Sequence, residues 1–236
     1  VGGSRPTVTV TSNEITAGDI RLISAGASSS PVTGCTLSAA IVTQDTATTN
    51  VLNLNRCEVV GASIIQTANA LGTATLSVSA GTRLINGFVI AQDGTGGVTV
   101  TASDLRSHAA AATGDIHQQG GQGVTVASSD ITAWTSGATI LNQAATGGIS
   151  VTTSRVTGSL GALCTRLAGA TGSMSVIGCD TNGARFVQSA TNTGSLIAQD
   201  SQFRTTLVTH SGQGPLTMSS AIDAQRGFGV TMASGS

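Results

Sequence analysis

The 236-residue chain contains no Lys, no Tyr and a single Trp, and only 9% of its residues are charged. An average globular protein has about 25% charged residues. With no Lys and few Arg, the chain has no basic patch that could neutralise phosphates, so we expect no nucleic-acid partner. No apolar run approaches the roughly 18 residues of a membrane-spanning helix, so we expect no membrane insertion. A net charge of −1 and 39% hydrophobic residues differ from a disordered composition and predict a folded, aliphatic core.

Residues that bind metals or cofactors are also few and scattered. The four Cys form no C-x-x-C motif, and His108, His117 and His210 lie far apart in the sequence. We therefore predict no zinc site and no other cofactor. The glycines before Val98 precede an extended segment rather than a helix, so they do not form a phosphate-binding loop.

The start of the chain, "VGGSRP", has neither an initiating Met nor a signal-peptide pattern. We expect residues 1–236 to be a single domain that is a processed product or a segment of a longer chain.

Internal repetition is the dominant pattern of the sequence. The segment "GGVTVTASDLR" from Gly96 returns as "GQGVTVASSDIT" from Gly121. The same pattern of apolar residue, any residue, apolar residue and a following small residue divides the chain into ten units of 20 to 26 residues. The first positions of the units are Val8, Ser30, Leu52, Leu76, Val98, Val124, Ile149, Met174, Leu196 and Leu216, and all except Ser30 are apolar.

Within each unit, apolar and polar residues alternate with the period of a β-strand. A second apolar segment follows most of these positions, at Ile20, Ile41, Ile64, Phe88, Ile140, Phe186, Leu207 and Phe228. A unit of this length holds about three short strands and cannot bury its own apolar face, so the units must stack as coils of a solenoid.

This pattern resembles the right-handed, single-stranded parallel β-helix of the pectate-lyase-like superfamily, which includes polysaccharide lyases, phage tailspikes and autotransporter passenger domains. The resemblance covers nearly the whole chain and lies in the architecture, because no signature of one member is matched. It implies an all-β fold, a β-solenoid of about ten coils, and association into a homotrimer like the shafts of tailspikes.

Aligning the units places a small residue five positions after each first apolar residue. We predict that this small column lies inward at a corner, and it contains Asn13, Cys35, Cys57, Gly81, Ser103, Ser129, Ser154, Cys179, Ser201 and Ala221. Cys35 and Cys57 would lie on adjacent coils about 4.8 Å apart, within the Cα separation of a disulfide. The alternative, which we favour, is that they are free cysteines that pack as small apolar side chains.

A second column contains glutamines, with His210 in a similar place. Its members are Gln44, Gln66, Gln92, Gln119, Gln143 and Gln188. Stacked amides at the strand spacing can hydrogen-bond from coil to coil, so we expect a structural ladder rather than a ligand site.

Charged residues directly follow the small column, at Glu14, Glu58, Asp104, Asp130, Arg155 and Asp180. Asp104 and Asp130 would project outward about 5 Å apart, a separation that suits the two carboxylates of a retaining glycosidase. Arg155 could then stabilise a carboxylate or hold a uronate. The alternative is a solvent-facing charge ladder, which we favour because only Trp134 is available as a loop aromatic for a saccharide cleft.

Outward Thr and Ser pairs such as Thr99 and Thr101 resemble the flat threonine arrays of ice-binding solenoids. The pairs become irregular in later units, where Thr125 is followed by Ala127 and Ser175 by Ile177.

We therefore expect a non-enzymatic structural β-helix on a virion or cell surface, acting as a rigid shaft, decoration or display element. Its expected partners are further copies of itself, other virion or surface proteins, and a surface glycan. A glycan-degrading enzyme using Asp104 and Asp130, and an ice- or surface-binding solenoid or adhesin, are the alternatives.

Overall fold

The computed structural model describes residues 10–11, 14–16, 19–24, 29–38, 41–46, 51–68, 75–86, 89–92, 96–107, 115–118, 123–133, 141–143, 147–158, 162–166, 171–188, 193–223 and 229–232. These residues form 28 strands, and no helix occurs among them. The strands follow one another in a repeating order of three, which we call the A, B and C strands.

The A strands contain the repeated apolar pair. They are β1 (Val10–Thr11), β4 (Ser29–Thr33), β7 (Val51–Asn55), β10 (Thr75–Ser79), β13 (Gly97–Thr101), β16 (Gly123–Ala127), β19 (Gly148–Thr152), β22 (Met174–Ile177), and the first parts of β25 (Leu196–Arg204) and β27 (Leu216–Asp223).

The B strands follow after a corner and begin with the charged column. They are β2 (Glu14–Thr16), β5 (Thr36–Ser38), β8 (Glu58–Val60), β11 (Arg83–Ile85), β14 (Asp104–Ser107), β17 (Asp130–Ala133), β20 (Arg155–Gly158), β23 (Asp180–Asn182), and the second parts of β25 and β27.

The C strands close each unit. They are β3 (Asp19–Ser24), β6 (Ile41–Thr46), β9 (Ser63–Ala68), β12 (Val89–Gln92), β15 (Asp115–Gln118), β18 (Leu141–Gln143), β21 (Ala162–Arg166), β24 (Arg185–Gln188), β26 (Leu207–His210) and β28 (Gly229–Met232).

Each strand pairs in parallel with the equivalent strand of the next unit. The A and B strands share an 18-stranded sheet, and the C strands form a 10-stranded sheet. Leu76 lies opposite Val98, and Val98 lies opposite Val124, as the repeat predicts. The prediction of an all-β solenoid of stacked parallel coils is confirmed.

A residue with positive φ turns the chain between most A and B strands. Ala102, Ser128 and Thr153 have φ of 48°, 50° and 48°, and Gly178 has the same conformation with φ 65°. The backbone N–H of each donates to a carbonyl of the next coil, for example Ser128 N to Thr152 O at 3.1 Å. The hydrogen-bonded stack is therefore continued through the corner.

The core consists of inward aliphatic side chains stacked in columns. The inward aliphatic residues of the A and B strands from β7 to β22 are at most 1% exposed, as the alternating burial of β10 and β13 illustrates, whereas Leu216 and Met218 in β27 are only partly buried. Phe186 and Phe203 are also buried, and their rings pack edge to face with centroids 6.2 Å apart. Phe88, Trp134 and Phe228 lie outside the described residues.

The second apolar segment was predicted with errors of one or two residues. The C-strand register places Ile64 opposite Val42 and Ile90, and Val208 opposite Phe186 and Val230. Ile41 is 42% exposed, and its register partners Asp19 and Ser63 lie one position before Ile20 and Ile64. Because side chains alternate between faces, an offset of one residue exchanges inward for outward positions.

Candidate functional site

The charged column lies at the start of the B strands, where consecutive coils place their first residues opposite one another. Arg83 pairs with both Glu58 and Asp104, Asp104 pairs with Asp130, and Arg155 lies between Asp130 and Asp180. Glu14 is exposed and pairs with Thr36 at the other end of the column. Six charged residues from Glu58 to Asp180 therefore follow one another along one edge of the solenoid.

Asp104 and Asp130 are direct register partners, as a carboxylate pair would require. Each carboxylate nevertheless has its own guanidinium. Arg106 Nη2 lies 2.6 Å from Asp104 Oδ2, and Arg155 Nη1 lies 3.6 Å from Asp130 Oδ1. The hydrogen bond to Asp104, together with the charges of Asp104 and Asp130, raises the pKa of Arg106 above its usual value.

The ion-pair partner of Asp180 is also a residue outside the charged column. Arg204, on the following coil, forms an ion pair with Asp180. Glu58 and Arg83 form a further pair, with 2.8 Å between Oε2 and Nη1. In these four pairs, the carboxylates at the starts of B strands have guanidinium partners on the same coil or the next.

Arg106 and Arg204 were missed by reasoning from the column alone. Both lie two residues after a column position in their own strands, with Asp104 and Gln202 as the corresponding column residues. Residues two apart in a strand project from the same face, so the sequence "DLR" contained the signal for the Asp104–Arg106 pair.

A cleft of about 380 Å³ lies beside this column, at the corner between the A and B strands. It is lined by Asp130, Arg155 and Asp180 and by the corner residues Ser128, Thr153 and Gly178. The lining is polar, with the side chains of Asp130 and Arg155 more than half exposed. Such a groove can form hydrogen bonds with a hydroxylated ligand but offers no aromatic surface for stacking among its lining residues.

The small column is buried along the corner and is tied together by hydroxyl groups. The members that are at most 5% exposed are Cys35, Cys57, Ser103, Ser129, Ser154, Cys179 and Ser201. Ser103 N donates to Ser129 Oγ at 3.2 Å, and Ser129 N donates to Ser154 Oγ at 3.1 Å. Each hydroxyl also donates to a carbonyl two residues earlier, as Ser129 Oγ does to Ala127 O at 2.8 Å. The same pattern joins Cys179 N to Ser201 Oγ at 3.0 Å.

The small column differs from the predicted one at two described positions. In the last unit Ala221 is the register partner of Gln202, so Ser220 and not Ala221 holds the column position that follows Ser201. Thr82, not Gly81, precedes Arg83 and occupies the buried site, where its hydroxyl accepts from Cys57 N at 3.3 Å. Ser79 pairs with Asn55 and Arg83 with Glu58, so this corner contains one residue more than the preceding one, and that residue moves the column forward. Asn13 lies outside the described residues, and Ala221 is described only in its backbone.

Cys35, Cys57 and Cys179 are buried, and none of the three is in a disulfide bond. The sulfur of Cys57 donates to Val32 O on the preceding coil at 3.2 Å, and that of Cys179 donates to Val151 O at 3.4 Å. Burial raises the pKa of both Cys57 and Cys179 above the usual thiol value, and the charge of Cys35 contributes for Cys57. The thiols thus occupy the place of the serine hydroxyls within one column.

The glutamine column lies at the ends of the C strands. Gln44, Gln66 and Gln92 are register partners, but the next member is Gln118 and not Gln119, which lies outside the described residues. The column then continues through Gln143, Arg166, Gln188 and His210.

The described side chains of this column bond to backbone carbonyls at the start of the next unit. Gln66 Nε2 donates to Thr75 O at 3.1 Å, Gln188 Nε2 donates to Gly194 O at 2.6 Å, and His210 Nε2 lies 2.7 Å from Gly214 O. These bonds join the end of a C strand to the A strand that follows, so they close individual coils. This supports a structural role in coil closure.

The outward row of the A strands consists of small polar residues in register from Asn53 to Ser175, with Pro31 before it and Ile197 after it. Thr99 lies opposite both Ser77 and Thr125, and Ser175 Oγ donates to Ser150 Oγ at 3.1 Å. Ala127 and Ile177 interrupt the neighbouring outward row.

Among the described residues, no group of three or more His, Cys, Asp or Glu could hold a metal ion, and no helix is long and apolar enough to cross a membrane. The chain matches no protein-family model, no curated protein and no solved structure.

Proposed function

We propose that this protein is a non-enzymatic structural β-helix that serves as a rigid shaft, decoration or display element on a virion or cell surface. The observation that carries the proposal is the continuous register of the stack. Backbone pairing, the small column and the charged column all run from coil to coil, and the paired charges along one edge interact with one another.

The finer architecture belongs to the same proposal. We propose a right-handed solenoid of about ten coils, related to the pectate-lyase-like β-helices. The 10-stranded C sheet, with one C strand in each repeat unit, supports the coil count. At about 4.8 Å per coil, ten coils give a rod roughly 48 Å long.

The expected partners are two further copies of the chain in a homotrimer, or other proteins of the same surface. Light scattering coupled to size-exclusion chromatography measures the oligomer, and small-angle scattering measures the rod length. A monomer with no tendency to associate would contradict the trimer, and a compact sphere would contradict the shaft.

A glycan-degrading enzyme is the second candidate, favoured by the direct pairing of Asp104 with Asp130 and by the adjacent polar cleft. In a retaining glycosidase the two carboxyl groups act on the substrate, whereas here Asp104 and Asp130 are each in an ion pair with a guanidinium, that of Arg106 or Arg155. We therefore rank the structural role first. Incubation with surface polysaccharides, comparing the parent with Asp104→Asn and Asp130→Asn, decides between them. Cleavage by the parent that both variants lose would establish the enzyme.

An ice- or surface-binding role, including adhesion to a glycan, rests on the small polar residues of the outer A face. Thermal hysteresis measured on the parent tests the ice-binding form of this hypothesis. Thr99→Leu, which places a bulky apolar side chain on that face, is expected to abolish any hysteresis.

A further inference from the structure

Cys35 and Cys57 occupy the same position of the small column on adjacent coils. Their neighbours Thr36 and Glu58 are register partners, and Glu58 N donates to Cys35 O at 2.8 Å. Adjacent parallel strands lie about 4.8 Å apart, which is within the roughly 4.4–6.8 Å between Cα atoms that a disulfide bridges. The backbone is therefore already placed for a bond between these two residues.

The orientation of the side chains supports the same conclusion. Both thiols face the core, with the residues 1% and 2% exposed. The sulfur of Cys57 reaches back to Val32 O at 3.2 Å, so it lies toward the coil that contains Cys35.

We propose that Cys35 and Cys57 form a redox-modification site at which a small-molecule disulfide oxidant converts the two buried thiols into an intrachain disulfide linking two consecutive coils. One thiolate attacks the oxidant and displaces the first small thiol, and the second cysteine then displaces the other. Two S–H bonds are broken and one protein S–S bond is formed. The two electrons reduce the oxidant, and the two protons end on the released thiols.

Burial sets the rate of this reaction rather than its product. The oxidant reaches the pair only when the corner opens, and the raised pKa of Cys57 keeps its reactive thiolate scarce near neutral pH. The modification is therefore slow, and it accumulates under prolonged oxidising conditions because a reducing compartment supplies little of the disulfide oxidant. Once formed, the disulfide joins β5 to β8 within the B ladder.

The same column provides an internal control. Cys179 has a similar position and burial, but its neighbours on the adjacent coils are Ser154 and Ser201. Asp180 N donates to Ser154 O at 3.0 Å, which is the counterpart of the contact between Glu58 and Cys35. Cys179 therefore has the same surroundings as Cys35 and Cys57, but no cysteine occupies the equivalent position on either adjacent coil.

The test incubates the folded parent with oxidised glutathione at pH 8.5 and follows free thiols, intact mass and peptide maps. We expect the parent to lose two of its four thiols and two hydrogen atoms, with the bond mapped between Cys35 and Cys57. Cys35→Ser should form no intrachain bond and remain folded, because serine occupies this column elsewhere. Ser154→Cys should create a second bond, with Cys179, by the same geometry.

Three outcomes would overturn the proposal. They are a parent that keeps all four thiols, a stable glutathione adduct on Cys57 with no bond to Cys35, and a parent disulfide that includes Cys179. The first counts against the proposal whether or not the Ser154→Cys variant forms its bond.

Discussion

The backbone N–H of Ser103 donates to the hydroxyl of Ser129 on the next coil at 3.2 Å. The same hydroxyl donates to Ala127 O at 2.8 Å. The buried Ser129 side chain therefore links the corner of its own coil to the corner of the coil that contains Ser103. The repeated serines of the small column are thus hydrogen-bonding components of the solenoid corner.

Ser129→Ala should lower the free energy of unfolding by about 1–3 kcal/mol, because it leaves the buried Ser103 N–H without its acceptor. Urea titration followed by circular dichroism measures the change. Ser38→Ala, at a half-exposed position of β5, is the control and should shift stability by at most about 0.5 kcal/mol. Equal effects of the two substitutions would show that the hydroxyl ladder contributes little.

Gly178→Ala tests the conformation of the corner. Gly178 has φ 65°, and an added Cβ would meet the atoms of Thr153 no closer than 3.8 Å, so conformational strain is the main penalty. We expect destabilisation of about 1 kcal/mol after allowing for the lower chain entropy of alanine in the unfolded state. The reverse exchange at the preceding coil, Thr153→Gly, removes a β-branched residue from φ 48° and should not destabilise. A loss of stability in Thr153→Gly larger than that in Gly178→Ala would contradict this explanation.

Gly194→Ala tests close approach between consecutive coils. A Cβ on Gly194 would lie 2.1 Å from Gly172 O, a contact with backbone that side-chain movement cannot relieve. We expect a loss of about 3 kcal/mol or a change in local register. Gly81→Ala is the control, because its Cβ would meet nothing within 4 Å and the change adds only strain at φ 81°. Thermal unfolding of both variants should separate a steric clash from strain.

Arg155→Glu tests the charged column. The substitution removes the partner of Asp130 and places a third carboxylate between Asp130 and Asp180, which lie directly opposite position 155. We expect about 1 kcal/mol of destabilisation at low salt, with most of it lost at high salt because the side chains are solvent-exposed. Arg155→Gln should have a smaller effect. A salt-independent loss would indicate that packing, and not charge, explains the result.

Alkaline pH tests the burial of the thiols. The pKa of Cys57 and of Cys179 is raised in the folded protein above the usual value of 9.0, so the unfolded chain releases these protons first. Stability is therefore fully present below about pH 9 and should fall as pH rises toward the folded-state values. The chain has no Lys or Tyr, so few other groups titrate in this range. Cys179→Ser should flatten the pH dependence of the urea midpoint between pH 8 and 10.5, and an unchanged slope would contradict the assignment.

Much of the fold could be predicted because one rule is repeated along the chain. Alternation of apolar and polar residues identified the A strands, and alignment of the units placed Asp104 opposite Asp130 and Cys35 opposite Cys57. The small residues of the corner followed from the same alignment. The prediction was less accurate where the units vary in length, as at Gln118 and Thr82, since sequence spacing alone does not show which coil contains the extra residue.

The sequence by itself determined the fold class, because units that cannot bury their apolar face alone must stack, and stacking in register turns a repeat into columns. Only the tertiary structure decided what each column does. It shows that Arg106 forms an ion pair with Asp104 and that Arg204 forms one with Asp180. It also shows that the amides of Gln66 and Gln188 donate to backbone carbonyls at the start of the next A segment, and these bonds close the coils. The physical reason is that a repeat specifies which residues are neighbours, whereas hydrogen bonds and ion pairs depend on side-chain directions over a few ångströms.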